Sequence, residues 1–277
     1  MKKFLAIVFG LFVFLNIFSC KVLAENIKFI QVTDTHLSKT SKYSQNVLKS
    51  IVKDINKQEN ISFVVFTGDN IDSPSLENLE TFTKIIKNLK YPYYIVIGNH
   101  DVYKNQGLSK KVYYEVIRKH NFFYSQRTPN YKFEKNGFVF FIIDGAKEVI
   151  PGPAGYYREN TLAWLDKELT KNKDKKAIIL QHFPVEYPEV TGARYVSHQT
   201  YKVEEYRTML AKHDNVLAIL SGHFHKNTEK MVDGVYHISS PALMNIPHPY
   251  KIIDIVTTKE FPPIIYTQLK EVEVVEE

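Results

Sequence analysis

Five short polar segments interrupt the apolar runs of this chain, and each carries side chains able to bind a metal ion or move a proton. They are Asp34-Thr35-His36, Gly68-Asp69-Asn70, Gly98-Asn99-His100-Asp101, Gln181-His182 and Gly222-His223-Phe224-His225. Taken singly, each has an ordinary explanation. Asp34 and His36 can be a hydrogen-bonded pair in a loop, and Gly68-Asp69 and Gly98-Asn99 can be turns. His182 can be a core histidine donating to a carbonyl. His223 and His225 fall on one side of an extended segment, either as a metal-binding pair or as surface neighbours. Taken together, these ordinary explanations would have to coincide five times, each time directly after an apolar run.

The donor types define a chemistry. Carboxylate and amide oxygens with imidazole nitrogens, and no thiolate, suit Mn, Fe or Zn better than Mg or Ca, which prefer all-oxygen sites. One carboxylate can bridge two cations. Two cations roughly 3.5–4 Å apart can hold and deprotonate a water and clamp the oxygens of an in-line displacement at phosphorus. A phosphate ester needs that help because its anionic oxygens repel a nucleophile. A histidine, with an ordinary pKa of about 6.5, can supply the proton for a leaving oxygen. A neighbouring carboxylate such as Asp101 would favour its charged form; the alternative for Asp101 is a turn cap.

The elements that must position these groups follow from periodicity. Ile27 to Val32, Ile61 to Phe66 and Tyr93 to Ile97 read as buried strands. Between them lie amphipathic helices, Gln45 to Ile55 and Leu76 to Leu89. This β-α-β-α-β series predicts parallel strands with crossover helices. Further on, Lys110 to His120, Glu159 to Thr170 and Lys202 to Lys212 read as helices. Phe138 to Ile143, Ala177 to Leu180 and Val216 to Leu220 read as strands, with short strands such as Gly234 to Ile238 and Lys251 to Val256 after them. Asn136-Gly137 predicts a hairpin between Tyr131 to Glu134 and the following strand. One α/β domain over 25–270, with an acidic frayed tail over 271–277, is the simplest organisation. Ligands of open α/β sheets bind at the carboxyl ends of strands, which is where all five segments fall.

The full set resembles the signature of the calcineurin-like metallophosphoesterase superfamily, over about Ile27 to Ile255. The resemblance implies a four-layer α/β/β/α sandwich of two mixed sheets flanked by helices, and hydrolysis of phosphomonoesters or phosphodiesters by metal-activated water. It further implies that Asp34, His36 and His225 hold a first metal, that Asn99, His182 and His223 hold a second, and that Asp69 bridges them. His100 would contact the phosphate and protonate the leaving oxygen, with Asp101 orienting its ring. Purple acid phosphatases carry Gly where His36 stands and a metal-binding Tyr where Asp72 stands, so the chain departs from that branch. It resembles instead the branch of class III cyclic-nucleotide phosphodiesterases. A metal-binding scaffold without catalysis is the alternative, although it has no need of a proton donor such as His100. Substrate contacts are sought among Tyr156, Tyr157, Arg158, Tyr187, Arg194, Tyr195 and His198, in polar or Pro/Gly-rich loops, where they can equally pack the loops down. Asp72 can orient a ligand or cap the helix near Ser75, and His237 and His248 read as structural.

Composition narrows the setting. The 277 residues are 44% hydrophobic, and the net charge is +6, mostly through Lys. No dense basic cluster with interleaved aromatics accompanies that charge, so no nucleic-acid partner is expected. Lys2 and Lys3 precede an apolar run from Phe4 to Phe18, short for a membrane span of roughly 20 residues and suited to a signal peptide over 1–24. Cys20, the single cysteine, invites lipidation and membrane association; cleavage near Ala24 is the alternative, and an uncleaved anchor is a third. Either processing leaves no free thiol for a disulfide or a nucleophile. The expected location is periplasmic, a cell-envelope lipoprotein or secreted, and the expected partner is a small phosphate ester.

Overall fold

A computed structural model describes residues 26–121, 124–189, 193–258 and 261–274, apart from the side chains of Ala193 and Arg194. The expected signal region, Cys20 and the last three residues lie outside the described residues. The first strand, β1 (Asn26–Val32), shows how the layers arise. Its pleat sends Ile27 and Phe29 into one apolar layer and Ile30 and Val32 into another. A strand buried on both faces reads as a continuous apolar run, and this is the reason it does.

The chain continues through α1 (Lys42–Ile55), β2 (Val64–Thr67), α2 (Leu76–Ile86), β3 (Tyr93–Val96) and α3 (Lys110–His120). The serines at positions 41, 75 and 109 start these helices. Each accepts a backbone N–H from three residues on, as Ser75 does from Asn78 at 3.0 Å. Then come β4 (Tyr131–Lys135), β5 (Phe138–Ile142), α4 (Glu159–Lys171), β6 (Ala177–Leu180), α5 (Ala193–His198) and α6 (Val203–Leu210). The last strands are β7 (Val216–Ser221), β8 (Thr228–Val232), β9 (Val235–Ser239), β10 (His248–Val256) and β11 (Ile264–Val272).

Two mixed sheets result, ordered β11-β10-β1-β2-β3 and β4-β5-β6-β7-β9-β8. The strands that lead to the polar segments run parallel within each sheet. The hairpin at Asn136-Gly137 forms, with φ of 48° and 81°, the left-handed pair a tight hairpin turn needs. Apolar side chains fill the space between the sheets: Phe29, Phe63 and Phe140 meet with ring centroids 4.8–5.6 Å apart. The outer layer seats Val47, Leu48, Ile51, Val52 and Ile55 of α1 at the spacing read from the sequence. Each such side chain contributes roughly 1.5–3 kcal/mol by leaving water. The short helix α5 was not expected, and β8 and β11 were expected only as unnamed short strands. β11 runs through Glu271 to Val272, paired with β10, so the first residues of the supposed tail belong to a strand.

Candidate metal centre

The carboxyl ends of five strands converge on one rim. β1 leads to Asp34 and His36, β2 to Asp69, and β3 to Asn99 and His100; from the other sheet, β6 leads to His182 and β7 to His223 and His225. The local backbone is unusual. Asp34, His36, Asp69, His223 and His225 all have positive φ, between 38° and 74°. Such conformations cost about 1–2 kcal/mol per residue and persist only where surroundings enforce them. Here Asp34 N donates to Gly68 O and His36 N to Asp69 O, both at 3.0 Å, lacing the first loop to the second. Gly222 is required by close approach, because a Cβ there would stand 2.0 Å from Thr33 Oγ1 and 2.5 Å from Asp34 Oδ2.

The side chains form interlocking groups. The donor atoms of Asp34, His36 and His225 lie within 4.8 Å of one another, as do those of Asp69, His182 and His223, and those of His36, Asp69 and His100. His225 Nε2 is 3.3 Å from Asp34 Oδ1 and 3.3 Å from His36 Nε2. Asp69 lies between the groups: Oδ1 accepts His100 N at 2.9 Å, while Oδ2 is 3.3 Å from His182 Nε2 and 4.0 Å from His36 Nε2. His182 binds Thr67 O through Nδ1 at 2.8 Å, and His223 binds His198 O through Nε2 at 2.9 Å. Each imidazole therefore has one nitrogen anchored on a carbonyl and the other left for a ligand, the usual support of a metal-binding histidine.

Two buried atoms test whether a cation fits. Among the described residues Asn99 Oδ1 has no hydrogen-bond partner, and His182 Nε2 meets only the Asp69 carboxylate, at 3.3 Å. A buried polar atom without a partner costs about 1–3 kcal/mol. The donors are oxygen and nitrogen without sulfur, and a transition-metal ion would satisfy Asn99 Oδ1 and take the place of the proton on His182 Nε2.

Charge is balanced accordingly. Burial opposes ionisation of Asp34 and Asp69, but the adjacent His225 and His182 outweigh it and hold both carboxyls below their ordinary range. Burial opposes the charge on His182 as well, yet Asp69 pushes it up to about 9. His223 is driven by burial and by His182 down to about 3, which the pull of Asp69 and Asp34 and its bond to the His198 carbonyl do not offset. His36 is lowered by burial, partly offset by Asp69. His225, also disfavoured by burial, is raised by its bond to Asp34.

The role expected for Asp101 is not what the structure shows. His100 Nδ1 binds the Asp72 carbonyl at 2.7 Å. Asp101 turns the other way and accepts Gly98 N at 2.7 Å, Asn70 N at 2.8 Å, Ile71 N at 3.1 Å and Asn70 Nδ2 at 3.0 Å. It staples the loop after β3 to the loop after β2, because four donors outcompete one imidazole. Asp72 serves His100 through its backbone, and the cap of α2 is Ser75 itself.

A cavity of about 550 Å³ lies over these groups. Tyr195 and His198 line it, as do Phe224, Lys226 and Asn245, which the sequence reading had not singled out as lining. Tyr195 stacks near Phe224, with centroids 5.9 Å apart. The other loop candidates pack the scaffold: Tyr157 donates to Phe183 O at 2.7 Å, Tyr156 meets Tyr201, and Arg158 begins α4. Tyr187 packs near Phe224, and the side chain of Arg194 lies outside the described residues. His248 is buried between Tyr43 and the Leu243 carbonyl, and His237 is half-buried away from the centre.

Two sheets with a polar rim at their carboxyl edge define a fold also seen in a dimetal phosphatase from Danio rerio. The TM-score is 0.61 with 17% identity, over 86% of this chain and 98% of that one. The family model "Calcineurin-like phosphoesterase" matches residues 27–227, and the chain belongs to that family of metal-dependent phosphoric ester hydrolases. A "probable glycerophosphodiester phosphodiesterase" of Arcobacter nitrofigilis is 29% identical over 71% of each chain. A 3',5'-cyclic adenosine monophosphate phosphodiesterase of Haemophilus influenzae is 24% identical over 78% of this chain and 76% of its own. These relatives are of the class III type rather than purple acid phosphatases.

Proposed function

We propose that this chain is an exported phosphoesterase that works with two transition-metal ions on small phosphate esters, phosphodiesters foremost. The supporting observation is the convergence of seven donors from two sheets on one rim: His36, Asp69, Asn99, His223 and His225 line one cavity, Asp34 and His182 are buried beside it, and Asn99 Oδ1 is buried without a hydrogen-bond partner among the described residues. Asp34, His36 and His225 would hold one ion, Asn99, His182 and His223 the other, and Asp69 would be shared. Mn, Fe or Zn bound there would acidify water and neutralise phosphoryl oxygens.

The chain's own residues do the rest. Because His100 Nδ1 is fixed on the Asp72 carbonyl, the transferable proton of the imidazolium is the one on Nε2, and it passes to the leaving oxygen. Lys226 and Asn245 offer donors from the cavity wall, and Tyr195 with Phe224 gives a face for a ring on the ester's arm. The preference for diesters is supported by the names of the relatives, and export by Lys2-Lys3 and the Phe4 to Phe18 run.

Hydrolysis of bis(4-nitrophenyl) phosphate by the signal-free protein with added Mn tests the reading. His100→Ala is expected to lower kcat by about 10²–10⁴ while retaining metal, and Asp69→Asn to lose metal. A wild type that binds metal yet turns over no mono- or diester with any of the three metals would point to a scaffold. The mass of the mature N-terminus decides between lipidation at Cys20 and cleavage near Ala24.

A further inference from the structure

Gln31 is the one polar side chain on the inward face of β1. Ile27 and Phe29 precede it on that face, and all three are 0–1% exposed. An amide in such a place costs several kcal/mol unless it is hydrogen-bonded, on the order of 2–7. Gln31 Nε2 donates to Thr67 Oγ1 and to Ser221 O, both at 2.9 Å, and Oε1 accepts Ser240 Oγ at 2.7 Å. Both donor positions of the amide are used, and its partners lie in both sheets.

The partners are the residues that lead into the metal centre. Thr67 precedes Gly68-Asp69, and its carbonyl also anchors His182 Nδ1. Ser221 precedes Gly222-His223, and Gln31 itself is three residues before Asp34. On the neighbouring strand Lys251 stands opposite Gln31. Its buried Nζ reaches across to Asn227 Oδ1 at 2.7 Å and Glu229 Oε1 at 2.8 Å, just beyond His225. Below this level the contact between the sheets is apolar, as where Phe29 of β1 meets Phe140 of β5 edge to face. Apolar contact is non-directional and tolerates sliding. The polar level at the metal end does not.

We propose that Gln31 is a positioning residue for the metal centre: it sets the slide of one sheet against the other, and so the spacing between Asp34, His36, Asp69 and Asn99 on one side and His182, His223 and His225 on the other. This rests on the two-metal reading above. Donor groups must be held within about 0.5 Å to keep their function, and only a directional contact between the sheets can do that.

The test compares Gln31→Met, close in shape but without the amide, with Phe29→Leu, which weakens the same apolar layer and leaves the polar contacts alone. Mn and Zn affinities are measured by competition with a chromophoric chelator, and thermal midpoints of the metal-free proteins are measured beside them. Gln31→Glu, which keeps an acceptor for Ser240 and loses both donors, is the third variant. Gln31→Met and Gln31→Glu are expected to bind metal about 10- to 100-fold more weakly, and Phe29→Leu to stay within about twofold at a similar loss of midpoint. Wild-type affinity in a folded Gln31→Met, or metal affinity that falls in step with midpoint in all three variants, would overturn the proposal. A wild type that binds no metal would instead sink the two-metal reading on which it stands.

Discussion

Removing the Asp101 carboxylate separates two accounts of this residue. As a partner of His100 it would govern a proton; as the structure has it, it holds two loops together. Its two oxygens, fully buried, accept four hydrogen bonds, three of them from backbone N–H groups of Gly98, Asn70 and Ile71. Burial and the nearby Asp69 push Asp101 up to about 7, so it is only partly charged near neutrality; each bond is then worth about 1–3 kcal/mol, and bonds to one group do not add fully. Allowing for relaxation and entry of water, Asp101→Ala is expected to lose about 3–5 kcal/mol. At roughly 2–4 °C per kcal/mol for a chain of this size, the thermal midpoint falls by about 10 °C. Calorimetry of the metal-free protein reads this directly. Asp101→Asn turns a donor toward backbone donors and should also destabilise, but His100 keeps its neutral carbonyl partner. The alkaline limb of the pH–rate profile of Asp101→Asn, where a general acid loses its proton, should therefore move by less than about half a unit. A variant of wild-type stability whose alkaline limb moves by a full unit would refute the staple and restore the dyad.

Other outcomes follow from the same geometry. Because Asp69 raises His182 to about 9, above its ordinary 6.5, metal uptake near pH 7.5 should release about one proton from that ring, measurable by titration calorimetry in two buffers. In the metal-free protein the same pair stabilises fully below about pH 6.5, and its contribution is lost as pH rises through about 9, so the midpoint should fall over that window. Gly222→Ala, forced against Thr33 and Asp34, should cost about 1–3 kcal/mol and weaken metal binding at least about tenfold; unchanged affinity would mean the loop yields without moving Asp34.

The metal donors were legible because each follows an apolar strand by two to four residues, and that covalent tether leaves the chain little freedom in where it delivers them. Legibility ended where a side chain has to choose among partners. Asp101 adjoins His100 in sequence, but successive side chains point apart, and the donors it meets belong to segments that no spacing brings together. Asn245 reaches the cavity from the connection after β9, 20 residues beyond His225, with no motif to mark it. Gln31 carried a signal, a lone amide in a buried strand, whose meaning depends on Thr67, Ser221 and Ser240. The short α5 is under two turns and has too few residues for a period to show. β11 is a half-exposed edge strand whose apolar and polar residues mix with little contrast, so its pattern resembles a loop.

The most direct measurement is the position and number of metal ions in crystals of the reconstituted protein, by anomalous scattering at the Mn, Fe or Zn edge. Two peaks per chain are expected, one touching Asp34, His36 and His225, the other Asn99, His182 and His223, both within reach of Asp69. A single peak, or peaks that leave Asn99 and His182 without a metal contact, would contradict the account.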